Sequence, residues 1–238
     1  MQWNEAISHI RHVVFKVSVG DFEGTSFIVG TTGKSLLFAT AWHVIRDLYS
    51  SADKHQRYVE LQSASGDFEI KANVVGLARF GRDELDVGLF WVGPAFTSEN
   101  VDDILNAFAN SPIKDGIIDL SGGGNVISAT GTRENAVSER EYNILVRQEV
   151  VQGSKVGWLG YPSVDDQTLC FFSGVISSTS SAGNMYLVDG TVLTGLSGGP
   201  VFNYSGDIIG IVSKYVGEED TDSGLVQVTP VADLRAIV

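Results

Sequence analysis

Three side chains in this sequence have the chemistry to share one reaction: Ser197 in TGLSGGPVF, His43 in ATAWHVIRDL and Asp86 in ELDVGLF. A serine hydroxyl is a poor nucleophile at neutral pH. It needs a base within hydrogen-bond reach, and the base needs a carboxylate to orient it. It also needs N–H donors aimed at the place where an oxyanion forms. The stretch around Ser197 suits those demands. Gly195 and Ser197 can both turn backbone N–H groups into one pocket, because glycine tolerates the dihedrals such a loop requires. Gly198 and Gly199 keep Cβ atoms away from an approaching chain, and Pro200 stiffens the exit.

The base has four candidates, His9, His12, His43 and His55. The first two fall in an expected N-terminal helix, and His55 lies in the polar segment SSADKHQRY. His43 differs, because it follows the apolar run SLLFAT and the small residues Ala39, Thr40 and Ala41 at an expected helix start. Asp86 heads the apolar run VGLFWV, where an aspartate has to be paired, since a lone buried charge is costly. Taken singly, each has a plainer reading: a bend between strands, a satisfied core histidine, a turn aspartate. Together they run His, Asp, Ser along the chain, which is the chymotrypsin-type order and differs from that of subtilisins and α/β-hydrolases.

Those residues must be positioned by strands. Short runs rich in Val, Ile and Phe recur between Gly, Ser and Asp turns: 13–19, 25–30, 35–40, 68–80, 87–93, 144–151, 155–162, 170–178, 185–190, 199–203, 207–216 and 224–231. Their number and spacing predict an all-β sandwich or barrel architecture. Helices are expected to be few. Trp3, Ile7, Ile10 and Val14 share a helical face, predicting a helix over 3–12. Asn100 can cap a second, with Val101, Ile104, Leu105 and Phe108 as its apolar stripe. A third is expected in TPVADLRAIV, with Pro230 in its first turn. A polar middle section, 96–143, divides the two strand-rich halves. The expected units are an N-terminal helix and first barrel over 1–95, a linker or insert over 96–143, and a second barrel with a C-terminal helix over 144–238.

Bulk properties narrow the function classes. The chain has 238 residues, 43% hydrophobic, enough for one large all-β domain or two small lobes. A formal charge of −13 argues against non-specific nucleic-acid binding and against docking on anionic membranes. The single cysteine, Cys170, permits no disulfide within the chain. The N-terminus lacks an apolar signal-peptide core, and no run approaches the roughly 20 residues of a membrane span, so a cytoplasmic location is expected. No His or Cys cluster has metal-ligand spacing, and SGGGN at 121–125 is too weak a pattern for a phosphate loop; no metal or cofactor is expected.

With these residues in view, the sequence resembles the trypsin/chymotrypsin-fold serine proteases, and within them the bacterial HtrA-type (Deg-like) protease domain. GTSFIVG looks like the family's glycine-led strand pair. TAWHV matches its Thr-Ala-x-His motif, and LDVGLF its aspartate-headed strand. VGWLGYP with FFSGVISS resembles strands of the second barrel. GLSGGPVFN resembles the Ser-Gly-Gly nucleophile loop, GIVSKYV the substrate-pairing strand, and GLVQVTPVADL the closing strand and helix. These matches span 24–93 and 153–236. The resemblance implies two six-stranded antiparallel β-barrels with the site between them and a few short helices at the N-terminus, the inter-barrel section and the C-terminus. It implies His43, Asp86 and Ser197 as a catalytic triad and the N–H groups of Gly195 and Ser197 as the oxyanion hole.

The resemblance also implies where specificity resides. Thr191 and Val192 map to the base and wall of the pocket, and Ser213, Lys214 and Tyr215 to the strand that pairs with substrate. With no acid at the base, cleavage after uncharged aliphatic or small residues is expected. Asp189 and the acidic run GEEDTD (217–222) support the competing view that basic substrates are attracted. Three departures stand out. Leu196 replaces the aspartate that, in zymogen-activated relatives, pairs with a new N-terminus. No PDZ module is expected after the closing helix. The section 96–143 is long for a link and is a candidate docking surface for a regulatory protein. A partner-activated latent protease and a silent peptide-binding pseudoprotease are the alternatives to an active endopeptidase.

Overall fold

Runs of β-branched and aromatic residues become strands where their side chains can pack on both faces of a curved sheet. In the computed structural model, which describes residues 3–32, 35–50, 58–64, 69–80, 85–92, 118–119, 150–180, 185–216 and 224–230, such strands close into two rings. The first ring comprises β1 (Val14–Val19), β2 (Phe22–Thr32), β3 (Ser35–Thr40), β4 (Tyr58–Ser63), β5 (Glu69–Phe80) and β6 (Val87–Val92). Its order is β1-β4-β5-β6-β3-β2, and β2 returns to pair with β1, so no edge is left open in the ring. A two-residue strand, β7 (Ile118–Asp119), adds to β2 in parallel. The second ring comprises β8 (Lys155–Gly160), β9 (Cys170–Ser180), β10 (Met185–Asp189), β11 (Pro200–Phe202), β12 (Ile208–Val216) and β13 (Leu225–Pro230), closed in the order β10-β13-β12-β11-β8-β9. The expected pair of six-stranded antiparallel barrels is thus present.

The first barrel is filled by aromatic rings. Phe38 stacks on Phe90 at 5.1 Å, Phe15 meets Phe38 edge-on at 5.5 Å, and Phe38 and Phe90 are fully buried. Burying each such ring is worth about 1.5–3 kcal/mol. The same core continues out of the first barrel to Leu159, Tyr161, Phe202, Ile208 and Ile211 of the second. A separate core inside the second barrel gathers around Trp158, with Ile176, Val188, Leu196, Val201, Val226 and Val228.

Other ties hold the barrels together. Helix α1 (Trp3–Ile10) runs on as a 3₁₀ turn (Arg11–Val13), a tighter ending than the continuous helix expected over 3–12. Its Ala6 and Ile10 are buried, while Trp3 stacks on Tyr204 at 4.0 Å and meets Phe202 edge-on at 5.8 Å. Lys16 of β1 is almost wholly buried and bonds Asp166 of the second barrel at 2.7 Å and Glu23 at 3.1 Å. Burial alone pulls the Lys16 ammonium pKa down, but the two carboxylates outweigh it and hold the pKa above its usual value.

Two parts of the strand pattern differ from expectation. β4 was hidden because YVELQS carries alternating exposed polar residues rather than an apolar run: Tyr58 and Glu60 are exposed while Val59 and Leu61 are buried. Of the run 144–151, only the last two residues are described, and they are not strand. The expected helices near 100–108 and after Pro230 lie outside the described residues, as does the section 96–143 apart from β7. Among the described residues no helix is long and apolar enough to cross a membrane.

Candidate active site

Helix α2 (Trp42–Ser50) starts two residues after β3 ends, which brings His43 to the rim of the first barrel. The residue that starts the helix and the residue that follows both bond to Asp86. The Trp42 N–H donates to the Asp86 carbonyl at 3.2 Å, and the His43 N–H donates to Asp86 Oδ1 at 2.9 Å. The second carboxylate oxygen, Oδ2, lies 2.6 Å from His43 Nδ1. Asp86 therefore satisfies an orphan N–H of the helix start and places negative charge at the positive end of the helix dipole. It also orients the imidazole. With Nδ1–H donated to the carboxylate, Nε2 carries the lone pair and is the basic face. Asp86 is mostly buried, whereas His43 keeps 38% of its side chain exposed, so the ring is held at its back and open at its front. The Arg79 guanidinium lies 5.5 Å from the ring centroid of Trp42 beside it.

The Ser197 loop is held differently, by its backbone. The Ser163 N–H donates to the Thr194 carbonyl at 2.7 Å, the Leu196 N–H to the Leu193 carbonyl at 3.2 Å, and the Gly199 N–H to the Leu196 carbonyl at 3.0 Å. Beyond the serine, the Gly198 N–H donates to the Val212 carbonyl at 2.7 Å and the Val212 N–H returns to Gly199 at 2.9 Å. Gly195 and Gly198 both have φ of +92°, a conformation that side chains resist. Each is also a contact: a Cβ on Gly195 would fall 2.2 Å from the Tyr161 carbonyl oxygen, and one on Gly198 would fall 2.0 Å from the Thr25 carbonyl oxygen. Since the peptides are trans, the Thr194 carbonyl pointing to Ser163 turns the Gly195 N–H the opposite way. Among the described residues, neither the Gly195 nor the Ser197 N–H has an acceptor.

The two parts meet at the seam between the barrels. The Ser197 carbonyl accepts the Thr25 N–H of β2 at 2.8 Å, and Gly198 lies against Ala41, two residues before His43. Ser197 is half-buried there and makes no hydrogen bond with His43 in this structure. Leu196, the departure noted in the sequence, is fully buried in the second-barrel core against Gly160.

Around the expected specificity pocket, Thr191 is exposed, while Val192 and Leu193 are half-buried and pack on the core around Trp158. Gly190 sits directly on the Trp158 ring, where a Cβ would come 2.6 Å from Cη2. The Ser213 hydroxyl is buried and shares a hydrogen bond with Thr229 at 2.5 Å. Lys214 and Tyr215 pair with Gln227 and Val226 of β13. On the other side of β12, pairing with β11 stops at Ile211, so from Ser213 to Val216 that edge has no strand partner among the described residues. Asp189 is exposed at the end of β10, and the run 217–222 lies outside the described residues. Of the remaining histidines, His12 is exposed and His55 lies outside the described residues. No group of three or more His, Cys, Asp or Glu side chains that could hold a metal occurs among the described residues.

Sequence reasoning passed over two residues that the geometry brings forward, Thr25 and Trp158. A hydroxyl in the apolar run TSFIVG was the available signal for the first, because a buried hydroxyl needs a partner. For Trp158 the sequence held only the apolar run around it, which is the pattern of any core strand.

A family model described as the trypsin-like peptidase domain matches residues 24–211. No curated protein sequence matches the chain. Among solved structures, the chain is similar to the inactive form of the Rv3671c protease, with 15% identity, a TM-score of 0.58, and coverage of 98% of this chain and 91% of that one. An inactive-form serine-to-alanine mutant of Rv3671c from M. tuberculosis H37Rv gives 15% identity and a TM-score of 0.59, covering 98% and 88%. A serine endoprotease from Yersinia pestis gives 18% identity and a TM-score of 0.60; the match covers 98% of this chain and 63% of that one. At these identities the structural likeness speaks for the fold.

Proposed function

This chain belongs to the trypsin-like peptidase domain family and is a serine peptidase acting on polypeptides, and on that premise we propose that His43, Asp86 and Ser197 are its catalytic triad. The observation that carries this reading is the double use of Asp86, which bonds both the backbone N–H and the Nδ1 of His43 and so leaves Nε2 as the base. Ser197 Oγ attacks the peptide carbonyl carbon as His43 Nε2 takes its proton. The carbonyl oxygen becomes an oxyanion, received by the N–H groups of Gly195 and Ser197. Collapse breaks the C–N bond, His43 returns the proton to the leaving amine, and an acyl-enzyme remains. Water, deprotonated by His43, then hydrolyses that ester. Asp86 stabilises the imidazolium at each stage. The acceptor-free N–H groups at Gly195 and Ser197 support a loop already in working shape, and this favours an active enzyme over a latent or silent one.

The open edge of β12 at Ser213–Val216 supports recognition of an extended chain by strand addition. Thr191 and Val192 then border the residue before the cleaved bond. Val192 and Leu193 line that region with apolar surface, and Trp158 fills the space beneath Gly190. These features favour small or aliphatic residues there. A peptide-library digest tests both statements. Cleavage concentrated after Ala, Val, Ser or Leu, and abolished in Ser197→Ala, is expected. A profile dominated by Lys or Arg would remove the specificity assignment, and undiminished cleavage by Ser197→Ala would remove the nucleophile.

A further inference from the structure

We propose that Thr25 is a positioning residue that sets the oxyanion hole of the second barrel from the wall of the first. The inference rests on the assignment of Gly195 and Ser197 as oxyanion donors. Thr25 is wholly buried in β2 and uses every polar atom it has. Its Oγ1 donates to the Gly195 carbonyl at 2.8 Å and accepts the Tyr161 N–H at 3.1 Å. Its own N–H donates to the Ser197 carbonyl at 2.8 Å, and its carbonyl accepts the Thr40 hydroxyl at 2.7 Å. A β-branched side chain is stiff about χ1, so this hydroxyl stands pre-aimed.

The consequence lies in the two peptides that flank the Gly195 Cα. The Thr194–Gly195 peptide is pinned by the Ser163 N–H on its carbonyl. The Gly195–Leu196 peptide is pinned by Thr25 Oγ1 on its carbonyl. Burial of Leu196 anchors a side chain but does not stop the peptide before it from turning over, and glycine at φ +92° presents no Cβ to oppose such a turn. The hydroxyl of Thr25 supplies that restraint at the carbonyl end of the peptide, opposite the longer 3.2 Å bond from the Leu196 N–H to the Leu193 carbonyl at its other end. Because Tyr161 and Ser163 belong to one loop, the same hydroxyl also ties in the segment that pins the first peptide. Docking of the two barrels and assembly of the oxyanion hole are then a single event.

The test compares wild type with Thr25→Val, which keeps the shape and loses both hydrogen bonds, and Thr25→Ser, which restores the hydroxyl. The Val variant is expected to lose about a hundredfold in kcat, with KM within about threefold. Its affinity for a peptide boronate, whose tetrahedral adduct occupies the oxyanion position, falls by a similar factor. Thr25→Ser recovers most of both. Thermal unfolding is followed for each protein, and Thr25→Ala carries the comparison if Thr25→Val does not fold. Wild-type kcat in the apolar variants, or a Ser variant no better than Val, would overturn the proposal. So would loss of folding in both apolar variants, which would place Thr25 in the fold rather than in the catalytic geometry. A wild-type chain that neither cleaves peptide nor forms the boronate adduct would overturn the underlying site assignment instead.

Discussion

The two halves of the site are anchored by different physics. On the first barrel, one carboxylate does the positioning: both oxygens of Asp86 are spent on His43, one on its backbone and one on its ring. On the second barrel, no charged group touches the Ser197 loop among the interactions described; backbone hydrogen bonds, the neutral Thr25 hydroxyl and the buried Leu196 hold it. In the proposed mechanism the histidine passes between neutral and charged states during turnover, and a fixed carboxylate serves both states. In the same proposal the serine loop has only to present N–H groups in a constant place, which hydrogen bonds between neutral groups and packing do without any titrating group.

The comparison can be broken first on the carboxylate side. Asp86→Asn should leave the fold intact and lower kcat by about 10⁴-fold, since the amide favours the wrong imidazole tautomer; steady-state kinetics with a thermal melt checks both halves of that statement. A fall of only a few-fold would mean that His43 is oriented by something else. On the apolar side, Trp158→Ala should cost about 3–5 kcal/mol of stability and, if the protein remains folded, move the cleavage profile towards bulkier residues before the cleaved bond. An unchanged profile would separate Trp158 from the pocket.

Leu196 gives the sharper contrast. Leu196→Ala should cost about 2–5 kcal/mol, whereas Leu196→Met, which conserves volume, should cost under about 1.5 kcal/mol. Chemical denaturation measures both. Similar losses for the two would show that something other than packing holds the loop.

The smallest expected effect concerns the inter-barrel ion pair. Its Asp166 carboxyl is held below its usual value of 3.8 chiefly by the hydrogen bond from Lys16, so the pair contributes stability above pH 3.8 that is lost as pH falls through the lowered value. The Lys16 ammonium is held above 10.5, so on the alkaline side the contribution persists until pH rises through that raised value. Asp166 is partly exposed, which keeps the gain modest. The difference in melting temperature between wild type and Lys16→Met should be flat through neutral pH and shrink in acid below 3.8.

The contrast between the two halves also explains what could be read from the sequence. Charge and turn chemistry are local, and so His43, Asp86 and Ser197 stood out by residue type and neighbours, as did the glycines that a positive φ requires. The strands of both barrels were visible wherever apolar residues dominate the run, on both faces in VGLFWV or on one face in VFKVSV. β4 was not, because its outward positions face solvent and break the run. The partners of the serine loop were beyond reach for another reason. Leu196 could be seen to lack the familiar charge, but its burial beside Gly160 depends on closure of the second barrel. The bond from Thr25 to Gly195 spans 170 residues, and no local pattern announces it.

The most direct test of the whole account is covalent labelling of the purified chain, without any added partner, by a fluorophosphonate, followed by peptide mapping of the adduct. We expect stoichiometric modification on Ser197, absent in Ser197→Ala and strongly slowed in Asp86→Asn. A folded wild-type chain that takes no label, or takes it on another residue, would contradict the assignment of Ser197 as a nucleophile held ready by its backbone.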